Sequence, residues 1–180
     1  MSYDLTLFRV PEGTDPSLAH QQLIEQQESD SADLDAWMKR AVPGERRAEM
    51  ERIASVLKSW RPMLQEFQPK SPLPWIELND ENLQLQFEVH DAMVAVTMPY
   101  FRDRAQEIME CVTGCFETLS AAAGYRAYDP QLGRIVTATD LKEMVARYRE
   151  MDRTLPEILS QSRESLTAKK KPWWKFWRAL

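Results

Sequence analysis

The chain has 180 residues, 43% of them hydrophobic and 28% charged, enough apolar residues for one sizeable core and too many for a disordered chain. Its formal net charge is -5, yet Lys169, Lys170, Lys171, Lys175 and Arg178 fall in the last twelve residues, which hold no acid. The first 168 residues therefore carry 18 cations against 28 carboxylates, close to -10, a balance that disfavours nucleic acid and anionic lipid and suits a basic protein partner or none in particular, since solubility alone also explains it.

From the N-terminus, Tyr3, Leu5, Leu7 and Val10 alternate loosely and stop at Pro11-Glu12-Gly13, which predicts a first strand closed by a turn. Asp4 and Arg9 interrupt any apolar leader, and no run approaches the ~20 apolar residues of a membrane span, so neither a standard export signal nor a transmembrane segment is expected. Pro16 opens a helix to about Gln27, capped by Thr14 or Asp15, with Leu18, Leu23 and Ile24 as a modest apolar face. A short helix from Asp33 to Ala41 should end at Val42-Pro43-Gly44. Met50, Ile53, Leu57, Trp60 and Leu64 then mark the buried stripe of a clearer helix that Pro62 kinks or ends.

Pro69, Pro72 and Pro74 make 68–74 an extended connector into a sheet. Trp75 to Leu78, Leu83 to Val89 and Met93 to Met98 read as consecutive antiparallel strands. In the middle one, Leu83, Leu85, Phe87 and Val89 face a dry side, and Gln84, Gln86, Glu88 and His90 a wet one. From Asp103 to Ala123 the residues Ile108, Cys111, Val112, Cys115, Phe116 and Leu119 form a broad helical stripe to cover the dry face, ended by Gly124. Tyr125 to Tyr128 and Arg134 to Thr137 are short strands about the turn 129–133. Thr139 or Asp140 caps a last helix carrying Leu141, Met144, Val145 and Tyr148, with Pro156 limiting it or starting another to about Ser165. No internal repeat is evident.

Chemistry-bearing motifs are sparse. His90 with Asp91 and Glu88 has the composition of an acid/base group, but a His-Asp pair at a hairpin tip is ordinary solvated turn chemistry, and that is the reading adopted. Cys111 and Cys115, four apart on a helix, fit disulfide geometry poorly and lack the other two ligands of a zinc site; they read as buried thiols in a reducing compartment. Phosphate loops and nucleophile elbows are missing from a chain with five glycines. The expectation is therefore no catalytic residue, no cofactor and no metal. Tyr125, Arg126, Tyr128 and Asp129 are candidates for an exposed partner-binding edge, since Tyr and Arg are enriched at interaction hot spots; strand alternation alone would instead bury some of them.

The opening Ser2-Tyr3-Asp4-Leu5-Thr6-Leu7-Phe8, with the later Gly124-Tyr125-Arg126-Ala127-Tyr128-Asp129-Pro130-Gln131, resembles small bacterial α+β proteins that include immunity proteins of toxin systems. The resemblance spans two short segments and implies a cytosolic protein that neutralises a partner toxin through an acidic surface.

The tail Lys169, Lys170, Lys171, Pro172, Trp173, Trp174, Lys175, Phe176, Trp177, Arg178 concentrates three of the six tryptophans among cations. It suits an interfacial membrane contact, single-stranded nucleic acid, another protein, or its own acidic body. The sequence thus predicts an α+β fold, an antiparallel sheet of about four to six strands with helices on one face. One acidic domain over 1–168 precedes the basic Trp-rich tail 169–180. The function expected is non-enzymatic protein binding in a bacterial cytoplasm, with peripheral inner-membrane association through the tail as the alternative.

Overall fold

The computed structural model describes residues 2–11, 13–31, 42–69, 73–99 and 101–151. The expected helices at 33–41 and after Pro156, part of the proline connector, and the tail lie outside the described residues. The strands are β1 (Tyr3–Arg9), β2 (Gln65–Glu66), β3 (Ile76–Asp80), β4 (Leu85–Val89), β5 (Met93–Met98), β6 (Tyr125–Asp129) and β7 (Arg134–Val136). They form one open antiparallel sheet of seven strands in the order β2-β3-β4-β5-β1-β6-β7. The count exceeds the expected four to six because β2, only two residues long, carries no periodic signal.

Among the described residues, four α-helices accompany the sheet: α1 (Pro16–Ser31), α2 (Gly44–Trp60), α3 (Ala105–Ala123) and α4 over 141–151. Period-two alternation places Tyr3, Leu5 and Leu7 of β1, Leu85, Phe87 and Val89 of β4, and Val94, Val96 and Met98 of β5 on one face, all buried. Against it pack Met50, Ile53 and Leu57 of α2, the broad stripe of α3, and Met144, Val145 and Tyr148 of α4. Burying each such side chain contributes about 1.5–3 kcal/mol, so this face holds most of the stability. Helices α2 and α3 approach closely at Gly114, where a Cβ would lie 3.4 Å from the Trp60 ring. Gly124 ends α3 in the left-handed conformation at φ 69, its N–H bonded back to Leu119 and Ser120.

Helix α1 departs from the one-sided arrangement. Phe8, Ala19 and Met93 form a second cluster with Leu23, Tyr128 and Ile135 at its margin, and the register assigns these strand residues to the opposite face. The Asp15 carboxylate caps α1 by accepting the N–H groups of Ser17 and Leu18 at 3.0 and 3.1 Å, as expected. Leu18, expected on the apolar side, is half exposed, and Ala19 takes the contact instead. The cap before α4 is Thr137: its N–H and hydroxyl donate to Asp140, three residues on, in a capping box.

The two hairpins β3–β4 and β6–β7 share a turn that the sequence conceals. Asp80 and Asp129, both buried, end their first strands and pair with Leu85 and Arg134 across four-residue loops. Each Oδ1 accepts two turn N–H groups, from Asn82 and Leu83 or from Gln131 and Leu132, at 2.8–3.2 Å. Each Oδ2 is held by a side chain from elsewhere, Arg61 Nε in one case and Tyr3 Oη in the other. The left-handed position is Gln84 at φ 54 in the first loop and Gly133 at φ 66 in the second. The common pattern is Asp-x-x-Leu followed by a left-handed residue.

Candidate binding groove at the sheet edge

The edge strand β2 is built by the chain leaving α2. Arg61 caps that helix through its N–H to the Leu57 carbonyl, the turn at Pro62 and Met63 closes with Leu64 N–H on the Arg61 carbonyl, and Leu64 drops into the core. Arg61 then clamps Asp80 at the end of β3, and Lys58 donates to Glu66 at 2.5 Å, so β3 and the short strand are each tied to the C-terminal end of α2. Gln65 and Glu66 pair with Asn79 and Leu78, and Phe67 N–H donates to the Glu77 carbonyl at 2.9 Å. Beyond this pairing the ladder leaves Phe67 half exposed; Met63, in the preceding turn, is half exposed as well.

Between residues 66–69 and 73–77 runs a cavity of about 310 Å³. Phe67, Pro69, Leu73 and Trp75 give it aromatic and aliphatic walls, and Glu66, Glu77 and Arg47 bring charge to its rim. Its size lies at the small end of ligand-binding pockets. Register extends this groove onto the wet face, because Glu77 sits directly opposite Glu88, and Asn79 opposite Gln86. Asn79 donates to Glu77 at 2.8 Å, Gln86 to Glu88 at 3.2 Å, and His90 Nε2 lies 3.5 Å from Glu88. Like charges directly opposite one another on adjacent strands disfavour the sheet. Here, near the half-exposed Phe67, residue choice works against sheet stability. Among the described residues, no helix lies over Glu77, Asn79, Gln86 and Glu88, which remain partly exposed. Such an arrangement can receive cations between the carboxylates and apolar rings in the groove.

Strand β6, which carries the residues expected to form a binding edge, is interior, paired with β1 on one side and β7 on the other. Tyr125 and Asp129 point into the core and are buried, the first beneath Arg9 with the guanidinium 5.5 Å from the ring centre, the second bound to Tyr3. Burial pushes the Tyr125 hydroxyl and the Asp129 carboxyl up from their ordinary values, the latter opposed by the hydrogen bond from Tyr3 and two turn N–H groups. Tyr128 lies on the other face, stacked on His20 at 3.7 Å between ring centres, and Arg126 alone of the four is exposed. The fold therefore does not bring these four together on one surface. The nine basic and aromatic tail residues lie outside the described residues.

His90 closes the β4–β5 hairpin, its N–H on the Met93 carbonyl at 2.9 Å, while Asp91 pairs with Arg46 at 2.7 Å. Cys111 and Cys115 are free thiols; burial pushes Cys111 up to about 11 and Cys115 higher still, which leaves both as thiols rather than nucleophilic thiolates near neutral pH. His20, desolvated against Tyr128 and Phe8, is pushed below its ordinary value. Among the described residues there is no group of three potential metal ligands, and no helix is long and apolar enough to cross a membrane. Comparison of the chain with protein-family models, curated proteins and solved structures returns no match.

Proposed function

We propose that this is a non-enzymatic protein-binding protein that engages a basic partner through the groove at β2 and the adjoining wet face of β3 and β4. One observation carries the reading: Glu77 and Glu88 stand opposite each other on neighbouring strands, next to the half-exposed Phe67 and a cavity walled by Trp75, Leu73 and Pro69. A cation from a partner relieves the carboxylate repulsion, and an apolar side chain fills the groove, so association gains where the free protein is disfavoured. An immunity role, in which the partner is a toxin domain in a bacterial cytoplasm, is the specific form of this reading that the short sequence resemblance supports.

The test is capture of the partner from the native host by the full-length protein, compared with the Phe67→Glu and Glu77→Lys variants. A rim charge reversal should slow association and flatten its dependence on salt, and Phe67→Glu should remove at least tenfold in affinity, about 1.4 kcal/mol or more. A partner captured equally well by all three proteins sinks the assignment of this surface.

A further inference from the structure

We propose that the tail of this chain, residues 169–178, docks on the groove at β2 and the wet face of β3 and β4, occupying it in the absence of a partner. The inference rests on the groove being a binding surface and adds the occupant that regulates it. Chemistry matches on both sides. The groove offers Phe67, Trp75, Leu73 and Pro69 as walls, with Glu77 and Glu88 beside them. The tail supplies Trp173, Trp174 and Trp177 interleaved with Lys171, Lys175 and Arg178, without a single acid. Indole rings against the groove wall and ammonium groups over Glu77 and Glu88 satisfy both sets of groups at once, and cations over aromatic faces add to the attraction.

Length permits the contact. Helix α4 is described to Met151, and its Tyr148 packs 5.5 Å from Tyr3 of β1. From β1 to β2 the sheet steps across four strand pairs, roughly 19 Å at ~4.8 Å per step. Residues 152–168 intervene before the first tail lysine, a span whose extended reach is roughly 55 Å. Tethering by such a segment raises the tail's local concentration to about the millimolar range. A contact too weak to hold a free peptide is therefore occupied within the chain. A basic partner must displace it, which makes the tail a built-in competitor whose loss raises partner affinity.

The experiment uses full-length protein labelled with 5-fluorotryptophan, whose six fluorine resonances are assigned by single Trp→Phe substitutions. The resonances of Trp173, Trp174 and Trp177 are expected away from the free amino acid's position. They should return to it when Phe67→Glu is combined with Glu77→Lys, while Trp60, packed against Gly114, holds its place and reports an intact fold. Reversing Lys170 and Lys171 to Glu, which leaves the sheet untouched, should produce the same collapse. Tail resonances at the free position in the unmodified protein overturn the proposal. So do displaced resonances that neither set of substitutions moves, displacement that vanishes on dilution and so belongs to a second copy, or displacement that appears only with phosphatidylglycerol vesicles and so belongs to a membrane. These outcomes are separate from partner capture: a tail that stays free leaves the Phe67→Glu capture comparison standing, and a partner indifferent to Phe67 leaves the tail shifts standing.

Discussion

Replacing Asp80 with alanine should cost about 3 kcal/mol of folding stability, because one buried carboxylate serves three donors. Its Oδ1 takes the N–H groups of Asn82 and Leu83, each at 3.0 Å, and its Oδ2 takes Arg61. Asp80 is 1% exposed and the Arg61 side chain 22%. Breaking a fully buried ion pair by removing one partner costs about 3–5 kcal/mol. Arg61 retains partial access to water, which places the loss at the low end. Asp80→Asn keeps the acceptor for the turn and loses the charge, for a cost of about 1–2 kcal/mol. Combining Asp80→Ala with Arg61→Leu should be less than additive by about 1–2 kcal/mol. Urea unfolding followed by far-ultraviolet circular dichroism measures all of these, and the melting temperature should drop by about 6–12 °C for Asp80→Ala. Losses below about 1 kcal/mol, or strict additivity with Arg61→Leu, would refute the view that this pair locks the turn and the start of β2.

The shared turn makes a paired prediction: Gln84→Gly should stabilise by about 0.5–1 kcal/mol by relieving φ 54, and Gly133→Ala at φ 66 should destabilise by about 1 kcal/mol, both read from denaturation midpoints. Glu49 is held down to about 2 from an ordinary 4.5, chiefly by its hydrogen bond from Arg52 and further by Arg9. Its folded value lies below its unfolded one, so its stabilisation is present above pH 4.5 and is lost as pH falls toward 2. Partial exposure of all three side chains reduces the contribution to about 1 kcal/mol, and Glu49→Gln should flatten that part of the stability–pH curve. With its thiol pushed up by full burial, Cys115 should resist maleimide at pH 7 until the protein unfolds, whereas the partly exposed Cys111 reacts slowly in the native state; mass spectrometry after timed quenching distinguishes them.

Strongly periodic segments were readable in advance. The alternation of β4, the stripe of α2, the wide face of α3 with Gly124 behind it, and the Asp15 cap all follow from local residue patterns. Strand β2 was not readable, since two residues flanked by Pro62 and Pro69 have no period; tertiary pairing with Asn79 and Leu78 alone defines it. The position of α1 on the far face was also hidden. Of its described side chains, Ala19 is buried and Leu23 partly so, while Leu18, which the sequence assigns to an apolar side, is half exposed. The equivalence of the two turns is hidden in the sequence because glutamine stands at the left-handed position in one and glycine in the other. Composition suggested a binding site around Tyr125 and Asp129, but hot-spot residue types do not say which strand lies at an edge. The Glu77–Glu88 opposition emerges only once register is fixed, although two glutamates in outward positions of successive strands were visible in the sequence.

The most direct test of the groove as the binding surface is photo-crosslinking in the native host from benzoylphenylalanine placed at position 67, with position 117 on the exposed side of α3 as control. The account predicts a discrete adduct from position 67, to the partner when it is present and to residues 169–180 of the same chain when it is not, with neither adduct from position 117. Partner adducts from position 117 and none from position 67 would contradict it.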